Sequence, residues 1–434
     1  MSNEVIGVGL LGFGVVGSHV AAVLKERAGK LSEHAGQRLE LRKIKCLQGD
    51  LDKPQAADFP REIFTTGDDI FNDPYIQIIV EVIGGEHPAY EYQKRALESG
   101  RHVITSNKEL IAKHGPELIA IAKQNGVSLL FEASVGGGIP LMAPFKYDLV
   151  ANNITGIFAI INGTTNYILT RMDEANMDFT PVLAEAQSKG YAEANPENDI
   201  EGIDAAYKLA IMGSLAFGSK VGPEQIHREG ISRLAPQDFR YAHELGFTIK
   251  LLAIGKLTGN DIEARVHPVF IPEDCFLAKV NGVYNAVQVE ADLLDKVIFF
   301  GQGAGGFPTA SAVVADIVAA AKRIKQNTGQ PVSPLLSHDR RVLPMSEIIT
   351  RYYLRFVIAD QPGVLAAISK VLGDNGISIS AAIQKEADTA AGSAEIVLTT
   401  HPAAEKAMQT ALSTLEGLEL VREIGNVIRI EDIK

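Results

Sequence analysis

The run Gly190–Lys208, GYAEANPENDIEGIDAAYK, gathers Glu193, Glu197, Asp199, Glu201, Asp204 and Lys208 into one short segment. Asn195-Pro196 marks a turn, and the pattern predicts a helix from about Asp199 onward. On a helix Asp204 and Lys208 stand four residues apart, so their side chains share a face. An ammonium beside a carboxylate, with further acids close by, can hold a polar substrate and move a proton. The same residues also suit a plain surface helix, because acids near an N-terminus favour the helix dipole. An unperturbed lysine has a pKa of about 10.4, too high for an efficient base near neutrality. Burial and a second ammonium would lower it, and Asp204 would raise it again.

The elements that would position such groups begin at the N-terminus. Glu4–Leu11 (EVIGVGLL) is strand-like and passes through Gly12-Phe13-Gly14-Val15-Val16-Gly17 into a helical pattern over Ser18–Arg27. This is GxGxxG in its required setting, with a strand before and a helix after. Gly12 permits the tight turn, Gly14 lets a pyrophosphate approach the backbone, and Gly17 allows close helix–strand packing. The helix N-terminus then offers N–H groups to the phosphates. A glycine-rich turn in another kind of α/β protein is the plainer alternative. A second strand over Leu39–Leu47 should carry the ribose-reading residue near its end. That place holds Gln48-Gly49-Asp50, preceded by Arg42, Lys43 and Lys45. A terminal acid favours NAD and an arginine favours NADP, so both cofactors stay open.

Ile76–Ile83, His102–Thr105 and Ser128–Glu132 read as further buried strands, with a helix over Ala89–Ser99. Ligands bind beyond the carboxyl ends of parallel strands. This places Ser106 and Lys108 where cofactor and substrate would meet, unless Lys108 is a solvated loop lysine. Gly136-Gly137-Gly138 permits unusual backbone angles, either as a plain turn or with carbonyls directed at an ion. After a strand over Ile154–Ile161, the polar turn Asn162-Gly163-Thr164-Thr165-Asn166 could carry substrate-binding hydroxyls and amides. A second glycine loop, Gly301–Thr309, leads into an apolar helix over Ala310–Ile324. It either presents N–H groups to a cofactor or makes a tight connection.

The chain has 434 residues and a net charge of −12, which argues against a general nucleic-acid or anionic-membrane surface. No uninterrupted apolar stretch reaches the roughly 18 residues of a membrane span. Cys46 and Cys275 lack metal-ligand spacing; they exclude a disulfide scaffold and suggest a reducing, cytoplasmic setting. The last segment stands apart. Strand-like Arg351–Ala359, a turn at Asp360–Gly363, helical Val364–Gly373, strand-like Ile377–Gln384 and Ala394–Thr400, helical Pro402–Glu416 and a final strand to Ile430 make the order βαββαβ. That order is ferredoxin-like.

On these motifs the chain resembles, over nearly its whole length, the homoserine dehydrogenases that carry a C-terminal ACT domain. The most specific match is to a family run of Asp-Ile-x-Gly-x-Asp-x-x-x-Lys, present here as Asp199-Ile200-Glu201-Gly202-Ile203-Asp204-Ala205-Ala206-Tyr207-Lys208. The resemblance implies interconversion of L-homoserine and L-aspartate 4-semialdehyde with NAD or NADP. It implies Lys208 as the catalytic lysine and Asp204 as the acid that orients it. Glu193 and Asp199 would hold the substrate, with Thr164 and Thr165 as further partners, and Lys108 would lie near both nicotinamide and substrate. It further implies cofactor contacts along Gly12–Gly17, at Ser106 and at Gly303. A monovalent-cation site, for Na+ or K+, would use Glu132 with the backbone of Val135, Gly137 and Ile139. Asp360, Gly363, Asn375 and Ile377 would bind an effector, L-threonine, unless the terminal domain serves assembly. A homodimer or homotetramer is implied by resemblance alone. A non-catalytic sensor of a dinucleotide and an amino acid is the alternative of a different class, and the Asp204/Lys208 signature argues against it.

The expected architecture is α/β throughout. A Rossmann-type nucleotide-binding domain covers 1–133, with the helix over 306–325 returning to it. An α/β catalytic and oligomerisation domain covers 134–305, a linker 326–349, and a ferredoxin-like ACT domain 350–434.

Overall fold

The computed structural model describes residues 5–326, 338–388 and 392–433. They form two compact units, one of residues 1–154, 207–223 and 290–339, the other of 155–206, 224–289 and 340–434. The linker expected over 326–349 lies partly outside the described residues, from 327 to 337, as does Glu4 at the start of the first expected strand.

In the first unit β1 (Val5–Leu11) leads into α1 (Val15–Glu26) and α2 (Ala28–Ala35). Then come β2 (Arg38–Lys45), β3 (Phe64–Thr65), β4 (Ile76–Glu81), α3 (Ala89–Glu98), β5 (His102–Thr105), α4 (Lys108–Gln124) and β6 (Leu129–Leu130). The strands lie in the order β3-β2-β1-β4-β5-β6, and every pair is parallel. This is the doubly wound dinucleotide-binding order. A strand covered on both faces reads as a continuous apolar run, and β1 is buried along nearly its whole length. Val20 and Leu24 of α1 share a core with Ile6, Val8 and Leu10 of β1 and with Val313 and Ile317 of the helix Gly306–Gln326. That helix therefore packs on the nucleotide-binding sheet.

The chain continues through β7 (Ile154–Ile160), α5 (Gly163–Ala175), α6 (Phe179–Ser188), α7 (Glu197–Ile200) and α8 (Ile203–Phe217). Next come β8 (His227–Arg228), α9 (Pro236–Glu244), β9 (Phe247–Thr258), β10 (Asp261–Pro272), β11 (Tyr284–Ala291), β12 (Asp295–Gln302) and α10, the Gly306–Gln326 helix. The terminal segment holds β13 (Ile349–Ala359), α11 (Val364–Asp374), β14 (Ile379–Asp388), β15 (Ser393–Thr400), β16 (Ala403–Ala404), α12 (Glu405–Glu416) and β17 (Val421–Ile430). In the second unit the strands run β11-β7-β9-β10-β17-β13-β15-β14. Its last four strands, with α11 and α12 covering Tyr352, Phe356, Ile368, Leu372, Met408 and Leu415, complete the βαββαβ fold. They are continuous with the central strands, because β17 pairs parallel with β10 at Val269 and Phe270.

Buried ion pairs reinforce that junction. Asp238 of α9 accepts hydrogen bonds from Arg355 and Asn426 at 2.8 and 2.7 Å. Glu431 pairs with Arg265 and Lys256. Burial alone would push the Glu431 carboxyl up, but these two cations hold it below the usual range.

One expectation fails. The helix read from about Asp199 onward is two helices, because Gly202 between α7 and α8 takes a left-handed φ of 71°. A Cβ at Gly202 would come within 3.0 Å of the Val266 side chain. Glycine answers both demands, and the break sets Asp199 and Asp204 on separate helices.

Candidate active site

Asn162 organises the acids. It caps α5, its Oδ1 accepting from the Thr165 N–H at 2.9 Å, as side-chain caps do for otherwise orphaned helix donors. Its Nδ2 donates to Asp199 Oδ1 at 2.7 Å and to Asp204 Oδ2 at 2.9 Å. Two carboxylates on either side of the Gly202 break are thus joined by one amide, and Asn162 and Asp204 are both buried. In the sequence Asn162 is one residue of a polar turn; its fixed distance from the acids appears only after folding.

Of the two threonines in that turn, Thr165 is spent on structure. Its side chain is buried and its hydroxyl donates back to Asn162. Thr164 donates to the Tyr191 carbonyl at 2.6 Å, tying the turn to the loop that carries Glu193. The Glu193 side chain is exposed, and its backbone carbonyl accepts from Gln187 at 3.0 Å.

Lys208 follows Asp204 by one turn of α8 and is 9% exposed. Its neighbour Tyr207 reaches Glu109 at 3.5 Å, and Glu109 follows Lys108 at the start of α4. The two lysines therefore stand on helices whose adjacent residues meet. Asn107 caps α4 by accepting from the Leu110 N–H and donates to the Gly85 carbonyl at 2.6 Å. Beneath it, buried Glu81 accepts from Thr105, Gln93 and the backbone N–H of Ile83 at 2.7 Å each. The carboxyl ends of β4 and β5, and the turn bearing Ser106 and Lys108, are locked by a carboxylate that the sequence reading passed over as part of an apolar run.

The glycine fingerprint fits a dinucleotide. Gly12 has φ 102°, and a Cβ at Gly17 would meet the Gly12 carbonyl at 2.1 Å. Around Gly14, the residue before α1, a Cβ would meet nothing within 4 Å, so a ligand can approach the backbone there. Val15 is exposed and Val16 half-buried. The Phe13 ring lies in the core edge-on to Phe59 and Phe64, which leaves its backbone to face a cofactor. At the end of β2, Arg42, Lys43 and Lys45 are engaged by Asp73, Asp69 and Asp68. Lys53 reaches the fingerprint: it pairs with Asp50 at 2.6 Å and donates to the Phe13 carbonyl at 3.2 Å.

The two later glycine loops meet. A Cβ on Gly137, at φ 55°, would come 2.5 Å from the Gly303 carbonyl. Glu132 is buried, and its carboxylate accepts from the N–H groups of Leu141, Met142 and Ala143 at 2.6–2.9 Å. Those bonds give its side chain a structural task, so an ion at Glu132, Val135, Gly137 and Ile139 would rest on backbone carbonyls. The side chains of Val135 and Ile139 are buried. Behind the loop Asp316, pushed up to about 7 by burial, accepts from the Glu132 N–H at 2.9 Å.

Homoserine dehydrogenase family models match residues 12–132 (NAD-binding domain) and 140–318, and an ACT-domain model matches 352–420. A homoserine dehydrogenase of Synechocystis is 44% identical, covering 98% of this chain and 99% of that protein. The chain belongs to the homoserine dehydrogenase family. The crystal structure of a homoserine dehydrogenase from Thiobacillus denitrificans is 42% identical with a TM-score of 0.93, covering 99% of both chains. A hyperthermophilic archaeal homoserine dehydrogenase in complex with NADPH is 29% identical, with a TM-score of 0.63 over 73% of this chain and 97% of that one. The family and its ACT domain were legible from the sequence, and the first domain binds a nicotinamide nucleotide as the family's does.

In the ACT domain of this chain, Gly363 precedes α11 at φ 94° and Asp360 is exposed. Asn375 caps the far end of α11, donating to the Val371 carbonyl at 2.9 Å. Ile377 is buried in the domain core, so only its backbone can face an effector. A cavity of about 690 Å³ is lined by α1, α2 and α10, among them Arg27, Lys30, His34 and Phe307. Gln302, Phe307 and Pro308 of the second glycine loop line it as well. Among the described residues no helix is long and apolar enough to cross a membrane.

Proposed function

We propose that this chain oxidises L-homoserine to L-aspartate 4-semialdehyde, and reduces it back, in the biosynthesis of threonine, methionine and isoleucine. The reading rests above all on the Asp199–Asn162–Asp204 bridge, one helical turn ahead of buried Lys208. The nicotinamide, when bound, accepts or returns the hydride. Lys208 takes the hydroxyl proton during oxidation and gives it back during reduction. Asp204, held by Asn162, orients the ammonium. Glu193, Asp199 and Thr164 hold the amino-acid end, and Lys108 polarises the carbonyl oxygen.

The phosphates lie on Gly12–Gly17 and Ser106, with Gly303 against the nicotinamide half. NAD and NADP are discriminated by the Asp50–Lys53 pair, since an acid there accepts from a ribose hydroxyl and a lysine there meets a 2′-phosphate. Lys53→Ala is expected to raise kcat/KM for NAD relative to NADP by about tenfold, the worth of one charge-assisted hydrogen bond. An unchanged ratio would remove Lys53 from the discrimination.

Hard carbonyl oxygens suit Na+ or K+, so rates in either salt should exceed rates in tetramethylammonium chloride at equal ionic strength. The enzyme acts in the cytoplasm as a homodimer or homotetramer, which light scattering would resolve. L-Threonine binds the ACT domain near Asp360, Gly363, Asn375 and Ile377, and inhibits by binding the less active state more tightly.

The deciding experiment is the initial rate of NAD and of NADP reduction with L-homoserine, with and without L-threonine. Turnover that threonine depresses is the expected result. Turnover indifferent to threonine would reassign the ACT domain to assembly, and no turnover in either direction would overturn the reaction.

A further inference from the structure

The ACT domain reaches the substrate acids through one buried arginine. Arg429 of β17 is 3% exposed. Its Nε and Nη2 donate to the two oxygens of Glu405, at the start of α12, at 2.9 and 2.7 Å. Its Nη1 donates to Glu229 at 2.9 Å. The Tyr352 hydroxyl adds a fourth bond, to Glu405 at 2.9 Å. A planar guanidinium gripped on one side by a bidentate carboxylate has one direction left in which to point, and here that direction is Glu229.

Glu229 is only half-buried, but its surroundings lead inward. His227 meets its carboxylate at 2.8 Å, and its backbone N–H donates to the Val266 carbonyl of β10 at 2.9 Å. Two residues on, the Ile231 N–H donates at 3.0 Å to the carbonyl of Ile200, the residue after Asp199. Gly230 between them passes so close that a Cβ would stand 2.7 Å from the Ile200 carbonyl and 2.5 Å from the Glu201 carboxylate. Glu229, Gly230 and Ile231 thus form a short brace against α7.

We propose that Arg429 is a positioning residue for the substrate acids: it fixes Glu229, which sets the 229–231 brace against Ile200 and holds Asp199 in reach of the Asn162 amide it shares with Asp204. The inference rests on the homoserine reading. It makes the ACT domain a working part of the substrate site even with no effector bound. Reaction geometry tolerates little displacement, and the Asn162–Asp199 bond at 2.7 Å has little slack.

The test uses the full chain, after the unmodified enzyme has been shown to oxidise homoserine; if it does not, the reaction assignment fails and the brace is not in question. Arg429→Met is expected to lower kcat/KM for homoserine about tenfold or more, with the dissociation constant for the nucleotide, measured without substrate, unchanged within about twofold. Because removing Arg429 leaves Glu405 buried without its cation, Glu229→Ala is the second variant; it should show the same split. Glu229→Gln keeps an oxygen for Nη1 and should recover most of the loss. The two losses should also fail to add in the double variant, as coupled groups do. Wild-type kinetics in both single variants, equal losses for substrate and nucleotide, additive effects, or no recovery in Glu229→Gln would each overturn the proposal.

Discussion

Lys208→Ala is expected to lower kcat for homoserine oxidation by about three orders of magnitude, the range that follows when a positioned proton acceptor is lost. The dissociation constant for the nucleotide should hardly change, because Lys208 lies on α8 and the phosphate-binding groups lie at the start of α1. The side chain is 9% exposed, so bulk water is a poor substitute for the missing amine. Asp204 remains in Lys208→Ala, yet it cannot take over, because one of its oxygens is held by the Asn162 amide. Initial rates and direct nucleotide binding decide the matter. Turnover close to wild type would move the proton-transfer role to Lys108, whose helix α4 meets α8 through Glu109 and Tyr207.

Asn162→Asp should be nearly as damaging, for a different reason. The variant keeps an oxygen to cap α5, accepting from the Thr165 N–H as Asn162 does, so the helix stays intact. It loses both amide hydrogens and puts a third carboxylate within about hydrogen-bond reach of Asp199 and Asp204. Like charges at that separation cannot all stay ionised without cost. Homoserine kcat/KM is expected to fall about a hundredfold, while circular dichroism and nucleotide affinity stay near wild type. A variant that binds and turns over homoserine normally would show that the bridge is structural rather than part of the site.

The sequence carried much of this because its signals were local. GxGxxG between a strand and a helix needs no tertiary information, and neither does the i,i+4 spacing of Asp204 and Lys208. Gly202 was visible too, but only the approach of Val266 and its left-handed φ explain why the helix stops there. Long-range partners were hidden. Asn162 meets its acids across 37 and 42 residues, and Glu81 sits in a run whose apolar neighbours mask its donors Thr105, Gln93 and the Ile83 N–H. Side-chain direction was the other loss. Phe13 and Ile377 were named for their place along the chain and Thr165 for its hydroxyl, and each side chain is buried.

The pairing of β17 with β10 bears on how this protein can be handled. At Val269 and Phe270 the terminal strand occupies what would otherwise be an open sheet edge, and Glu431 just beyond it neutralises Arg265, which is 1% exposed. Cutting the chain before β13 would leave unpaired backbone groups, Arg265 with Glu263 but without Glu431, and the apolar surface of Phe270, on which Tyr353 packs at 4.5 Å. Exposed strand edges recruit other chains. A tailless version is therefore expected to self-associate and precipitate, which light scattering of the shortened chain would show.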